Sequence, residues 1–160
     1  MTHAEKGKEL FLSGYNCSQS VLGAFCQELG MDFDTAMKLS SSFGAGMGRM
    51  REVCGAVSGM FMVAGLKEGF VNPTDEDAAK KKTEHYQRIQ DLAKAYIEQS
   101  GSIICRQLLG LEEKRSSLPM FEAKPEARTA EYYKKRPCAD LVAMACQILD
   151  DQLFNQSAHD

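Results

Sequence analysis

The chain has 160 residues, a formal net charge of −3 and a pI near 5.7, with 44% hydrophobic and 26% charged residues. That length suits a single domain with its own core, and the balance is that of a globular chain rather than a disordered one. An acidic chain with no basic run longer than residues 80–82 carries no nucleic-acid footprint. No apolar run approaches the ~18 residues of a membrane span, and the charged first ten residues lack a signal-peptide core, so the cytoplasm is the expected location.

Val and Ile together supply only 11 residues, while Ala, Leu, Met, Glu, Lys and Gln are plentiful. This favours helix over strand, and no alternating run marks a strand. In chain order, a first helix fits residues 3–13. A second fits 16–29, with Asn16 as its cap, Gly30 as its stop and Val21, Phe25 and Leu29 on one apolar face. A third spans 32–42, starting at Asp32 or Asp34. The stretch FGAGMGRMRE, 43–52, reads as a glycine-rich loop, and a fourth helix follows over 53–67. A fifth, with a capping box at Thr74 and Asp77, carries Tyr86, Ile89, Ala93, Tyr96 and Ile97 along one stripe before Gly101. A short helix at 104–109 ends at Gly110, and residues 111–124 read as irregular. Pro125 opens a helix to Lys135, and Pro137 opens the last, to Phe154. There is no internal repeat. The expectation is an all-α, single-domain bundle of about six to eight helices covering 1–160.

Six cysteines are many for a chain in a reducing compartment, where metal ligation, redox chemistry or burial are their usual uses. Four fall in the first turn of an expected helix: Cys17, Cys54, Cys105 and Cys138. There, unpaired N–H groups and the positive end of the helix dipole stabilise a thiolate. Each also shares the apolar face of its helix, so four helix starts can deliver four sulfurs to one half-buried place. Cys26 and Cys146 lie mid-helix and read as buried filler.

The stretch CGAVSG, 54–59, puts two glycines into a helix, where each costs roughly 1 kcal/mol against alanine. Gly55 and Gly59, four apart, clear a groove beside Cys54 for another backbone or a cofactor. Gly44, Gly46 and Gly48 can wrap an anion or a sulfur with N–H groups. GAGMG follows a helix and lacks a P-loop lysine, so it does not read as a nucleotide loop. Met47, Met50, Met60 and Met62 read as core filler. The three histidines, His3, His85 and His159, read as solvent-facing. No C-x-x-C is present.

Taken together, GYNCSQSV around Cys17, CGAVSG from Cys54, CRQLLG from Cys105 and CADLVAMACQIL from Cys138 carry a resemblance. The chain resembles the family of small bacterial and archaeal redox-active proteins named for the pattern C…GCAxxG…C…C. The resemblance covers about residues 14 to 150. The label writes Gly before Cys, whereas Cys54 here precedes Gly55 and Ala56. The resemblance implies a redox role for Cys17, Cys54, Cys105 and Cys138, with Cys26 and Cys146 outside the pattern. Proximity of some members to transporter genes hints at a metal or sulfur species as cargo.

Three functions compete at this level. The first is thiol–disulfide exchange with a redox partner protein or a small thiol, Cys54 attacking and Cys17 or Cys138 resolving. The second is Cys₄ ligation of an iron–sulfur cluster or zinc by the same four residues, although their spacings of 37, 51 and 33 are unlike those of zinc ribbons or common ferredoxins. The third is a binding module with incidental cysteines, its methionine-rich fourth helix serving as a homodimer face.

Overall fold

The computed structural model describes residues 1–111 and 121–155. Among them the protein is all-α: α1 (His3–Leu12), α2 (Cys17–Phe25), α3 (Phe33–Ser41), a short turn α4 (Gly44–Met47), α5 (Gly55–Glu68), α6 (Ala78–Ser100), α7 (Cys105–Leu108), α8 (Ala130–Lys135) and α9 (Cys138–Leu149), which runs into a π-helical turn, Asp150–Phe154. The one β-type contact among these residues is an isolated antiparallel bridge between Val53 and Ile104. No helix among them is long and apolar enough to cross a membrane.

α2 is the centre of the bundle. Apart from Gln19, every residue of α2 is buried, and α1, α3, α5 and α9 pack around it. Its start is set by a capping box: Asn16 accepts from the Gln19 N–H at 2.9 Å, and the Gln19 side chain accepts from the Asn16 N–H at 3.0 Å. α6 lies outside, against α5 and α9, and fully buries only Leu92 and Tyr96.

Several boundaries differ from expectation for identifiable reasons. Thr74 and Asp77 form no capping box. Thr74 instead turns onto the Asn72 side chain, donating from its backbone N–H at 3.0 Å, and α6 begins only at Ala78. The buried stripe of α6 is centred on Leu92 and Tyr96, which leaves Tyr86 and Ile97 exposed. Pro125 opens no helix; α8 starts at Ala130 behind a Thr129 cap. Most of the expected irregular stretch 111–124 lies outside the described residues. His3 is not solvent-facing: it stacks on Phe25 at 4.0 Å and bridges Asp150 and Glu28. His85 is half-buried, and His159 lies outside the described residues. Of the methionines expected in the core, Met60 is fully buried and Met50 is exposed. On α5, Phe61 and Met62 are partly buried against the core and Leu66 is exposed.

The glycine-rich stretch is a helical turn of the wrong hand. Ala45, Gly46, Met47, Gly48 and Arg49 all have φ between 55° and 72°, and Arg51 follows at 61°. Each non-glycine residue in that conformation costs roughly 1–2 kcal/mol. The turn is closed by Glu52 N–H to Gly46 C=O at 3.0 Å. A Cβ at Gly46 would stand 2.7 Å from both the Arg51 Cα and the Cys105 Cβ, so only glycine fits there.

The two glycines of α5 have the use that the spacing suggests. A Cβ on Gly55 would stand 3.0 Å from the Cys17 Cβ, and one on Gly59 would stand 2.8 Å from the Ser18 carbonyl. The N-terminus of α2 therefore rests directly on the α5 backbone. Gly65, on the same helix, faces open space. The two positions should respond to alanine with opposite signs. In urea unfolding, Gly59→Ala lowers stability by about 1–3 kcal/mol through overpacking, whereas Gly65→Ala raises it by up to about 1 kcal/mol through helix propensity.

Candidate functional site

The four helix-start cysteines line a single cavity of about 470 Å³. Cys17 is the first residue of α2, Cys105 of α7 and Cys138 of α9, and Cys54 is the N-cap of α5. All six cysteines are free thiols. Cys26 and Cys146 lie away from the cavity, fully buried among apolar side chains, and burial pushes both thiols up.

Three pieces of backbone assemble the site. The glycine contact of α5 sets Cys17 beside Gly55 and hence beside Cys54. The bridge between Val53 and Ile104 sets Cys54 beside Cys105: Cys54 N–H donates to Ile103 C=O at 2.7 Å, and Cys105 N–H donates to Glu52 C=O at 2.6 Å. The packing of α9 on α1 and α2 brings Cys138 onto Cys17.

The thiols are not equivalent, and position at a helix start does not rank them. Cys54 lies 3.3 Å from the Tyr96 hydroxyl, and the Ala56 and Val57 N–H groups of the first turn of α5 favour its thiolate. Burial outweighs those donors: Cys54 is 5% exposed and its thiol is pushed up to about 11. Tyr96 is likewise pushed up, by burial first and by Cys54 second. Burial also raises Cys105, against the Arg51 guanidinium, whose Nη1 donates to its sulfur at 3.7 Å. Cys17 and Cys138 form a thiol pair in which the hydrogen bond raises Cys17 well above its usual range and lowers Cys138 to about 7. Attraction from Arg136, Arg51 and Arg128 adds to the lowering at Cys138, against the penalty of burial. Cys138 is also the one of the four that is only half-buried.

The expectation that first-turn amides lower all four pKa values is therefore corrected for three of them. A few N–H donors do not offset the loss of water around a sulfur, whereas a donating thiol with cations nearby does. Among the described residues, no three Cys, His, Asp or Glu side chains are grouped closely enough to hold one metal ion.

The arginines are what residue-by-residue reading missed. Arg49, Arg51, Arg128 and Arg136 all line the cavity. Arg136 stands two residues before Cys138, a local signal that was available. Arg49 and Arg51 sit in the glycine stretch, where the glycines draw attention away from them. Arg128 reaches its place by donating to the Phe11 and Tyr15 carbonyls at 3.0 and 3.1 Å, a contact between distant segments.

A family model described as "Putative redox-active protein (C_GCAxxG_C_C)" matches residues 15–152, a span that includes all four cavity cysteines. No curated protein and no solved structure matches the chain. The match covers most of the chain, and the protein belongs to the C_GCAxxG_C_C redox-active family.

Proposed function

We propose that this is a thiol–disulfide redox protein of a reducing compartment, the cytoplasm, in which Cys138 attacks and Cys17 resolves. The observation that carries this reading is that Cys17 and Cys138, the first residues of α2 and α9, line one cavity, with Cys138 the more accessible member. An attacking thiol works best when its pKa is near the ambient pH, since it is then both substantially ionised and still nucleophilic. Cys138 meets that condition. Cys54, the sequence-level choice of nucleophile, does not, because it is buried with its thiol near 11.

In the proposed cycle the Cys138 thiolate attacks one sulfur of an oxidised partner R–S–S–R, and RS⁻ leaves. Cys17 then gives up its proton and attacks the Cys138 sulfur of the mixed disulfide, releasing the second RS⁻. One Cys17–Cys138 disulfide is formed and one partner disulfide is reduced to two thiols. Cys54, bonded to the Tyr96 hydroxyl, and Cys105, paired with Arg51, stay reduced through this step. In this reading Gly55 serves by letting the Cys17 end of α2 come close.

Two measurements test the reading. Mild anaerobic oxidation should remove two free thiols and produce a Cys17–Cys138 linkage in the peptide map, and Cys138→Ser should abolish it. Stoichiometric iron or zinc in protein purified without oxygen, held by these cysteines, overturns the reading in favour of ligation. Second, the rate of iodoacetamide alkylation at Cys138 should rise with pH through a midpoint near 7, the value set by the pair. The folded pKa is depressed, so the reactive form is present above that midpoint and is lost as pH falls through it. Cys17→Ala removes the donor and moves the midpoint up, towards the ordinary thiol range. An unchanged midpoint would exclude the pair as its cause.

A further inference from the structure

The walls of the cavity are more strongly charged than the rest of the protein would suggest. The chain as a whole is acidic, with a net charge of −3. Yet among the described residues that line the cavity, the only carboxylate is Glu126, against Arg49, Arg51, Arg128 and Arg136. Glu126 is already committed to Arg136 at 2.8 Å.

The other three guanidinium groups have no carboxylate partner among the described residues, and each is held in place by neutral groups. Arg49 donates to the Glu122 carbonyl at 3.0 Å, and Arg51 donates to the Cys105 sulfur at 3.7 Å. Arg128 donates to two α1-end carbonyls and lies 4.2 Å above the Phe11 ring. Cations fixed by neutral partners at the wall of a low-dielectric cleft keep their charge available, and they raise the local concentration of anions. The cavity, about 470 Å³, is within the usual range for small-molecule sites. Three of its four sulfurs, Cys17, Cys54 and Cys105, are 9% exposed or less, so the thiol that a substrate meets first is the half-buried Cys138.

Resting on the dithiol reading above, we propose that the oxidised substrate is a small anionic disulfide, one whose sulfurs carry carboxylate-bearing arms, selected by Arg49, Arg51 and Arg128. The arms lie against the guanidinium groups while a substrate sulfur meets Cys138. The Cys138 thiolate bonds to that sulfur and the S–S bond breaks, expelling a thiolate that the same cations stabilise as it forms. Cys17 then closes the protein disulfide, and the second carboxylate-bearing thiolate departs. Two protein thiols are oxidised, one substrate disulfide is reduced, and the proton from Cys17 passes to a departing thiolate.

The test uses the reduced full chain without oxygen and three disulfides of similar skeleton: 3,3′-dithiodipropionate (a dianion), 2-hydroxyethyl disulfide (neutral) and cystamine (a dication). Each rate is divided by the rate of the same disulfide with dithiothreitol, which removes intrinsic reactivity. The dianion should exceed the neutral compound roughly tenfold or more, with the dication slowest. The ratio should shrink as salt is raised. Arg49→Gln combined with Arg51→Gln should collapse it, and Arg49→Lys with Arg51→Lys should restore most of it. Equal normalised rates for all three, with the Cys17–Cys138 disulfide still forming, overturn the charge selection and leave the dithiol reading standing. So does a preference for the dication. Failure of all three to oxidise the pair overturns both.

Discussion

The site depends on one contact: the first turn of α2 lying directly on the backbone of α5 at Gly55 and Gly59. No side chain separates the two helices there, and this absence lets the Cys17 Cβ come to the distance of a would-be Gly55 Cβ contact. Any larger residue at these positions would move α2 as a rigid body, because α2 is buried and packed by four other helices. Interiors at crystal-like density transmit such a shift rather than absorbing it. Cys17 would move relative to Cys54, and Cys138, which meets Cys17 through the α9 packing, would lose its partner. Glycine is unfavourable for an isolated α5 helix, and the close packing offsets that cost.

Around this contact, two terms of opposite sign act on every sulfur. Burial disfavours the thiolate, and donors or cations favour it. The outcome differs because the elements supply these terms unequally. Cys54 has the Tyr96 hydroxyl at 3.3 Å and two first-turn amides nearby, and its thiol is still pushed up by burial. Cys138 is less buried, takes a hydrogen bond from a second thiol and feels three arginines from three different parts of the chain. The strained left-handed turn at 45–49 belongs to the same arrangement: it carries Arg49, leads into Arg51 and packs against the Cys105 Cβ. Backbone strain held at such a place is a common accompaniment of a functional site.

Much of this was legible in the sequence, and the reasons are local. Composition gave the all-α class. Asn16, Gly101 and Pro137 marked helix ends because capping chemistry acts within a few residues. The helix-start position of four cysteines followed from those ends, and the spacing of Gly55 and Gly59 announced a close approach. The errors were local as well, where a neighbour competed: Asn72 captured Thr74, and Pro125 was compatible with a helix start but did not produce one.

The amino-acid order alone therefore determined the helices, which cysteines open them, and where the backbone is bare enough to be approached. It did not determine which sulfur meets which, that residues 51–54 pair with 103–106, or that Arg49 and Arg51, after α4, and Arg128 and Arg136, on either side of α8, line one cavity. Those are contacts between segments tens of residues apart. Their pairing depends on how the buried faces of all the helices fit together, and no local periodicity records it. The same holds for acidity: a first-turn position predicts a lowered thiol pKa, but whether water is also lost there is decided only when the chain has closed around the sulfur.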